Sequence, residues 1–188
     1  KGAKARNKVR LKVTLEKDTP VGVGWLRLVT SMGITPPILF LVDDLPTRKV
    51  DAKSRREDAV LIDPPLAIES RTPNLDVHYY KLEGRTGQRI AIEVLGSRLG
   101  EDVDAVLKLL DSGGRILATS DDEPGSGTDP RVSHVFRKNE TAYIEVREVR
   151  YQGGKFYRLR VGDFPLPMAA FPMVAQAGMK TSFVSVGP

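Results

Sequence analysis

The acidic run Ser120-Asp121-Asp122-Glu123, with Asp129 a little further on, crowds carboxylate oxygens into one Gly-rich loop. Such loops chelate hard cations, and they also cap turns by accepting backbone N–H groups. Capping is the favoured reading here, with Asp121 and Asp122 kept as candidate metal ligands. The only histidines are His78 and His134. Neither belongs to a His-Glu-x-x-His helix or stands near a Gly-x-Ser-x-Gly elbow, so zinc-hydrolase and serine-hydrolase signatures are absent. His134 alternates with Val132 and Phe136 and is expected on one face of a strand. His78 is expected at a solvent-accessible strand start. Asp102 and Asp104 are paired carboxylates without the cleft that glycosidase chemistry needs, and Gly153-Gly154-Lys155 lacks the rest of a phosphate loop. With no Cys in the chain, thiolate metal sites, Cys nucleophiles and disulfides are excluded.

The residues that must position these groups are patterned as strands. The 188 residues are 40% hydrophobic and 28% charged, with 17 Gly and 13 Pro, which fits a packed core broken by many turns. Period-two alternation runs through Val9-Arg10-Leu11-Lys12-Val13-Thr14-Leu15 and predicts a half-buried strand with a basic outer face. Two more strands are expected over Gly22–Thr30 and Ile38–Val42, making residues 1–43 the C-terminal half of an immunoglobulin-like β unit. Residues 44–59 are polar and read as a linker.

Eight strands follow between residues 60 and 163: Val60–Ile68, Val77–Leu82, Arg89–Leu95, Ala105–Leu110, Arg115–Thr119, Val132–Phe136, Ala142–Val149 and Phe156–Val161. Asp111-Ser112-Gly113-Gly114 is a strong hairpin signal, because Gly supplies positive φ. Eight strands at this spacing predict an all-β, jelly-roll-like sandwich. Residues 164–188 read as an extended tail leading into a further strand, Thr181–Val186. Its Thr181, Phe183, Val184 and Val186 are expected to pair with another β unit, completing the N-terminal half in this chain or a neighbour.

Charge is uneven. Residues 1–17 hold seven basic residues against Glu16, while the remainder carries 22 basic and 23 acidic residues. A nucleic-acid binder usually spreads basic charge over its folded body, so no nucleic-acid partner is expected. The basic end could attract an acidic polysaccharide or a membrane surface, and a solvated, aggregation-blunting edge is the favoured reading. No apolar run approaches a membrane span. No signal peptide is recognised at Lys1, and a start inside a strand-like pattern is expected of a segment from a longer protein.

An ordered set of stretches resembles the bacterial pre-peptidase C-terminal (PPC) domain, especially versions embedded in large exported planctomycete-type proteins. They are Asp76-Val77-His78-Tyr79-Tyr80-Lys81-Leu82-Glu83, Thr86-Gly87-Gln88-Arg89-Ile90, Asp104 to Asp111 with Gly114-Arg115, Ser120-Asp121-Asp122, Tyr143 to Arg147, and Tyr151-Gln152-Gly153-Gly154 ahead of Tyr157-Arg158-Leu159. The resemblance covers roughly residues 60–163. It implies a jelly roll without catalytic residues, in a secreted, periplasmic or cell-surface protein.

It also implies a calcium site between an acidic linker and an Asp-x-Asp-aromatic strand start. Here His78 replaces the second Asp, and Lys53, Arg55 and Arg56 add positive charge. The oxygens left are those of Asp51, Glu57, Asp58 and Asp76, and a salt-bridged linker with no cofactor is the favoured expectation. The leading functional expectation is a non-catalytic structural or spacer module. One alternative is a module binding a matrix polymer through Trp25, Tyr79, Tyr151 and Tyr157 on one sheet face. The other is a removable accessory domain of a secreted peptidase.

Overall fold

A computed structural model describes residues 9–122 and 125–187. The chain divides into two compact units, residues 1–43 and 44–188.

In the first unit β1 (Gly22–Leu26), β2 (Val29–Thr30), β3 (Gly33–Ile34) and β4 (Ile38–Val42) form a hairpin and its tip. β1 and β4 pair antiparallel from Gly22↔Val42 to Leu26↔Ile38, and β2 pairs with β3. Thr30 Oγ1 donates to the Gly33 carbonyl at 3.0 Å and closes the turn. None of the described residues of this unit is buried. Val9 to Leu15, expected as a half-buried strand, is exposed and in no strand. Alternation supplies an apolar stripe, but a stripe becomes a strand only where a ladder partner exists, and no described strand pairs with Val9 to Leu15. Lys1, Lys4, Arg6 and Lys8 lie outside the described residues.

The second unit contains β5 (Thr47–Arg48), β6 (Val60–Leu61), β7 (Leu66–Arg71), β8 (His78–Gly84), β9 (Arg89–Leu95), β10 (Ala105–Asp111), β11 (Ile116–Ser120) and β12 (Arg131–Val135). It continues with β13 (Glu140–Glu148), β14 (Phe156–Gly162), β15 (Ala169–Phe171) and β16 (Val184–Val186). Two five-stranded sheets form, in the orders β11-β10-β13-β8-β6 and β12-β9-β14-β7-β5. The eight long strands pair antiparallel in jelly-roll order. Their inward positions meet in one core, with Ile68, Tyr80, Leu82, Ile92, Leu107, Leu109, Ile144, Tyr157 and Leu159 fully buried. At the β10–β11 hairpin, Asp111 Oδ1 accepts the N–H of Gly113 and of Arg115, both at 2.9 Å, and Gly114 takes φ 86°. The Asp-Ser-Gly-Gly signal is this turn.

Two segments depart from the sequence reading. The expected strand Val60–Ile68 is two strands, because Pro64 and Pro65 offer no ladder donors. β6 runs parallel to β8 in one sheet, and β7 lies in the other. The linker is part of the sandwich. β5 runs parallel to β7, Val50 and Ala52 pack against the core, and Lys53 bridges Tyr79. Parallel edge pairing uses backbone groups, so a polar sequence accommodates it without apolar alternation.

Candidate functional site

Among the described residues one carboxylate group converges, that of Asp104, Asp121 and Asp122, with ligand oxygens within 4.8 Å of one another. Asp104 precedes β10, and the other two follow β11, its antiparallel neighbour, so one hairpin end gathers all three. Partial burial, then repulsion from Asp122 and Asp121, push the Asp104 carboxyl above its ordinary range. An all-oxygen donor set suits a hard cation. Three carboxylates from one rim supply only part of the coordination that calcium takes. Asp104 was not among the metal candidates read from sequence. Its signal was the Asp at a strand start opposite an acidic strand end.

The linker carboxylates do not assemble. Asp51 pairs with Lys53, and Glu57 and Asp58 lie 3.8 and 3.9 Å from Arg55 Nε. Asp76 Oδ1 accepts the Val77 N–H at 2.8 Å, and a hydrogen bond from Ser54 holds its carboxyl below the usual range. These four groups are thus engaged separately, and their donor set does not fit a calcium cage. Asp129 is fully buried and is a cap. It accepts the backbone N–H groups of Gly96, Ser97 and Arg98 at 2.9, 2.8 and 3.0 Å, and Arg98 Nε at 2.9 Å.

His78 is half-buried rather than at an open strand start, with Nδ1 2.7 Å from the Tyr157 hydroxyl. That hydroxyl is 2.7 Å from the Tyr80 hydroxyl. A chain of polar atoms thus crosses between the sheets, and desolvation lowers the His78 pKa while it raises those of Tyr157 and Tyr80. His134 stands edge-on to Phe136 with ring centroids 5.0 Å apart, and its Nε2 is buried without a partner.

The aromatic platform is not formed. Tyr157 is wholly buried in the core because its β14 position faces inward. Tyr79 is half-buried and donates to Glu145 Oε2 at 2.7 Å, so burial and that carboxylate raise its pKa. Tyr151 sits in the β13–β14 turn under the Arg147 guanidinium at 5.4 Å, and Trp25 belongs to the first unit, beneath Arg27 at 5.7 Å. In the tail, Val184 and Val186 of β16 pair with Phe171 and Ala169 of β15. Thr181 and Phe183 precede that strand. The tail therefore finds its first partner in itself.

The most developed polar constellation was not read from the sequence. It covers the outer face of the β12-β9-β14-β7-β5 sheet. Arg160 Nη1 donates to Glu93 Oε2 at 2.9 Å and its Nη2 to Asp44 Oδ1 at 3.4 Å. Arg98 Nη2 donates to Glu93 Oε1 at 2.8 Å. Arg158 donates to Glu69 and to Thr47 Oγ1, both at 3.0 Å. Arg131 Nη1 donates to the Pro167 carbonyl at 2.8 Å. Arg89 holds Asp163 at 2.6 Å and the Phe164 carbonyl at 3.1 Å. The Arg160 guanidinium lies 4.5 Å from the Phe164 ring centroid. Glu93, Arg131, Arg158 and Arg160 are all buried, although they point away from the sandwich core, and Leu166 is buried with them. The signal was there in part: Tyr157-Arg158-Leu159-Arg160-Val161 sets two Arg outward on a central strand. Its neighbours place Glu69 and Glu93 at the matching register positions.

No family model matches the sequence. A comparison with curated proteins likewise finds no match. Among solved structures, the chain is similar to the pre-peptidase C-terminal domain of a collagenase from Bacillus anthracis, at 18% identity and a TM-score of 0.46, over 58% of this chain and 99% of that one. It is also similar to PliG of Aeromonas hydrophila, a periplasmic inhibitor of g-type lysozyme, at 15% identity and a TM-score of 0.42, over 64% of this chain and 98% of that one. At such identity and superposition neither likeness says what this chain binds. Among the described residues no helix is long and apolar enough to cross a membrane.

Proposed function

We propose that the chain is a non-catalytic spacer module of an exported multidomain protein, whose sandwich fixes the direction of the segments on either side of it. One observation carries this reading. The segment that enters the sandwich, at Asp44 and Thr47, and the segment that leaves it, from Asp163 to Pro167, are tied to one sheet face by Arg158, Arg160, Arg131 and Arg89. Arg160 touches both, through Asp44 and the Phe164 ring. The carboxylates of Asp44 and Asp163 stay exposed while Arg160 is buried, so these ties add little net stability, and their role in this reading is to set the geometry of the two segments. A flexible linker needs no such ties.

The tail beyond this clamp also fits a junction. In the β15–β16 hairpin and its loop, Phe171, Met173, Val174, Met179, Phe183 and Val184 are exposed, an apolar grouping suited to a neighbouring domain.

The absence of native Cys allows a direct test. Spin labels at Ser112→Cys and Gln176→Cys should give one narrow distance distribution by double electron–electron resonance. Arg131→Ala combined with Arg160→Ala should broaden it while the sandwich stays folded by circular dichroism. A distribution as broad in the parent chain as in the double variant would refute the spacer reading.

A further inference from the structure

The strands β11 and β12 end their respective sheets and lie side by side. Near one end they are joined by the Arg131 N–H donated to Ser120 Oγ at 3.1 Å. Elsewhere a groove of about 770 Å³ opens between them, lined by Ile116, Leu117, Ser133, His134, Val135 and Arg137 among others.

One wall of this groove is an open backbone edge. β12 pairs with β9 only, and the bonds Val94 N–H to Pro130 carbonyl and Phe136 N–H to Gln88 carbonyl fix which residues face that partner. In an antiparallel ladder the hydrogen-bonded residues alternate. Val132 and His134 therefore bond to β9, while Ser133 and Val135 turn their N–H and C=O groups toward the groove. Added strands use such edges, taking main-chain hydrogen bonds from the edge and specificity from alternate side chains.

The side chains give the partner's chemistry. Ile116 and Val135 are about half exposed at the groove, as β-branched neighbours for an incoming strand. Arg115, Arg137 and Lys138 outnumber Glu140 along the lining. Arg115 is engaged by Asp111 at 3.1 Å and Lys138 by Glu140 at 3.6 Å. Among the described residues Arg137 has no ion-pair partner, and His134 Nε2 is buried without a hydrogen bond. A second copy of this chain pairing edge to edge would bring the same cations against each other, which is unfavourable. A nucleic acid has no N–H and C=O ladder to match the edge.

We propose that the β11–β12 groove binds an extended acidic peptide segment of a partner protein, which adds as a strand along Ser133 and Val135 and places a carboxylate on Arg137. The charge-assisted, bidentate geometry of Arg with carboxylate suits that contact.

The test uses the full chain and a fluorescein-labelled octapeptide of alternating valine and glutamate, followed by anisotropy, with a valine–lysine peptide as control. The acidic peptide should bind saturably and at least tenfold tighter than the lysine peptide. Arg137→Glu and Ser133→Pro should each weaken it tenfold or more, and amide exchange at Ser133 and Val135 should slow on binding. Ser133→Pro removes an N–H that the β9 ladder does not use. If that variant fails to fold by circular dichroism, Arg137→Glu and the exchange data decide. Equal binding of the two peptides, or undiminished binding by folded variants, would overturn the proposal. So would dimerisation of the peptide-free chain with Ser133 and Val135 protected.

Discussion

At the scale of single residues, Glu148 shows how one carboxylate holds a turn. It is almost wholly buried at the end of β13, and its two oxygens accept Arg150 Nε and the Gln152 N–H, both at 2.9 Å. Burial alone would raise its pKa, but these bonds outweigh it and hold the carboxyl below the ordinary Glu range. A depressed acid contributes stability above its unfolded pKa and loses it as pH falls through the folded one. Glu148→Gln should therefore lower the melting temperature at pH 7 and flatten its decline between about pH 5 and pH 3. Thermal melts across that range check both, and a variant declining as steeply as the parent would contradict the assignment. Asp104 has the opposite sign: its raised pKa makes ionisation unfavourable in the fold. Little of this was legible in the sequence. Carboxylates there look alike, and the difference between Asp129 as a buried cap and Asp121 as an exposed group arises from which loop folds over which. His78 shows the same thing. Its position at a strand start suggested solvent, but it faces the Tyr157 hydroxyl across the sheets.

At the scale of elements, alternation carried seven of the eight long strands, and β7 only in part, because each has one face on a shared core. It failed where that condition fails. Val9 to Leu15 alternate as well as any strand in the sandwich, but they have no layer to cover. β5 and β6 do not alternate, because they are two-residue parallel edges joined mainly through their backbone. The outer charge network lies between these cases. Its positions are legible as outward-facing charges, but their burial is not, since it depends on residues 163–167 crossing the face. Glu93 receives both Arg98 and Arg160 there. Removing one member of a buried charge cluster leaves the others uncompensated, at a cost of about 3–5 kcal/mol. Glu93→Ala should show a loss of that order in chemical denaturation. A loss below about 1 kcal/mol would mean that the face is wet in solution.

At the scale of the whole molecule, the two units differ in kind. The core lies wholly within residues 44–188, while the described part of the first unit buries nothing. The segment 44–188 should accordingly melt within about 2 °C of the full chain, since no apolar core is lost with residues 1–43. Calorimetry of the two chains checks this, and a drop of 5 °C or more would reveal support from the first unit. The clamp has one further consequence, which concerns force. Arg160 holds Asp44 on one side and stacks on Phe164 on the other, so the strand-bearing body hangs between two points that are already shackled together. Tension along a chain containing this module would meet β14 first, because Arg160 belongs to that strand. The load would pass through one central strand, and the other strands would be drawn on only after the Arg160 contacts let go.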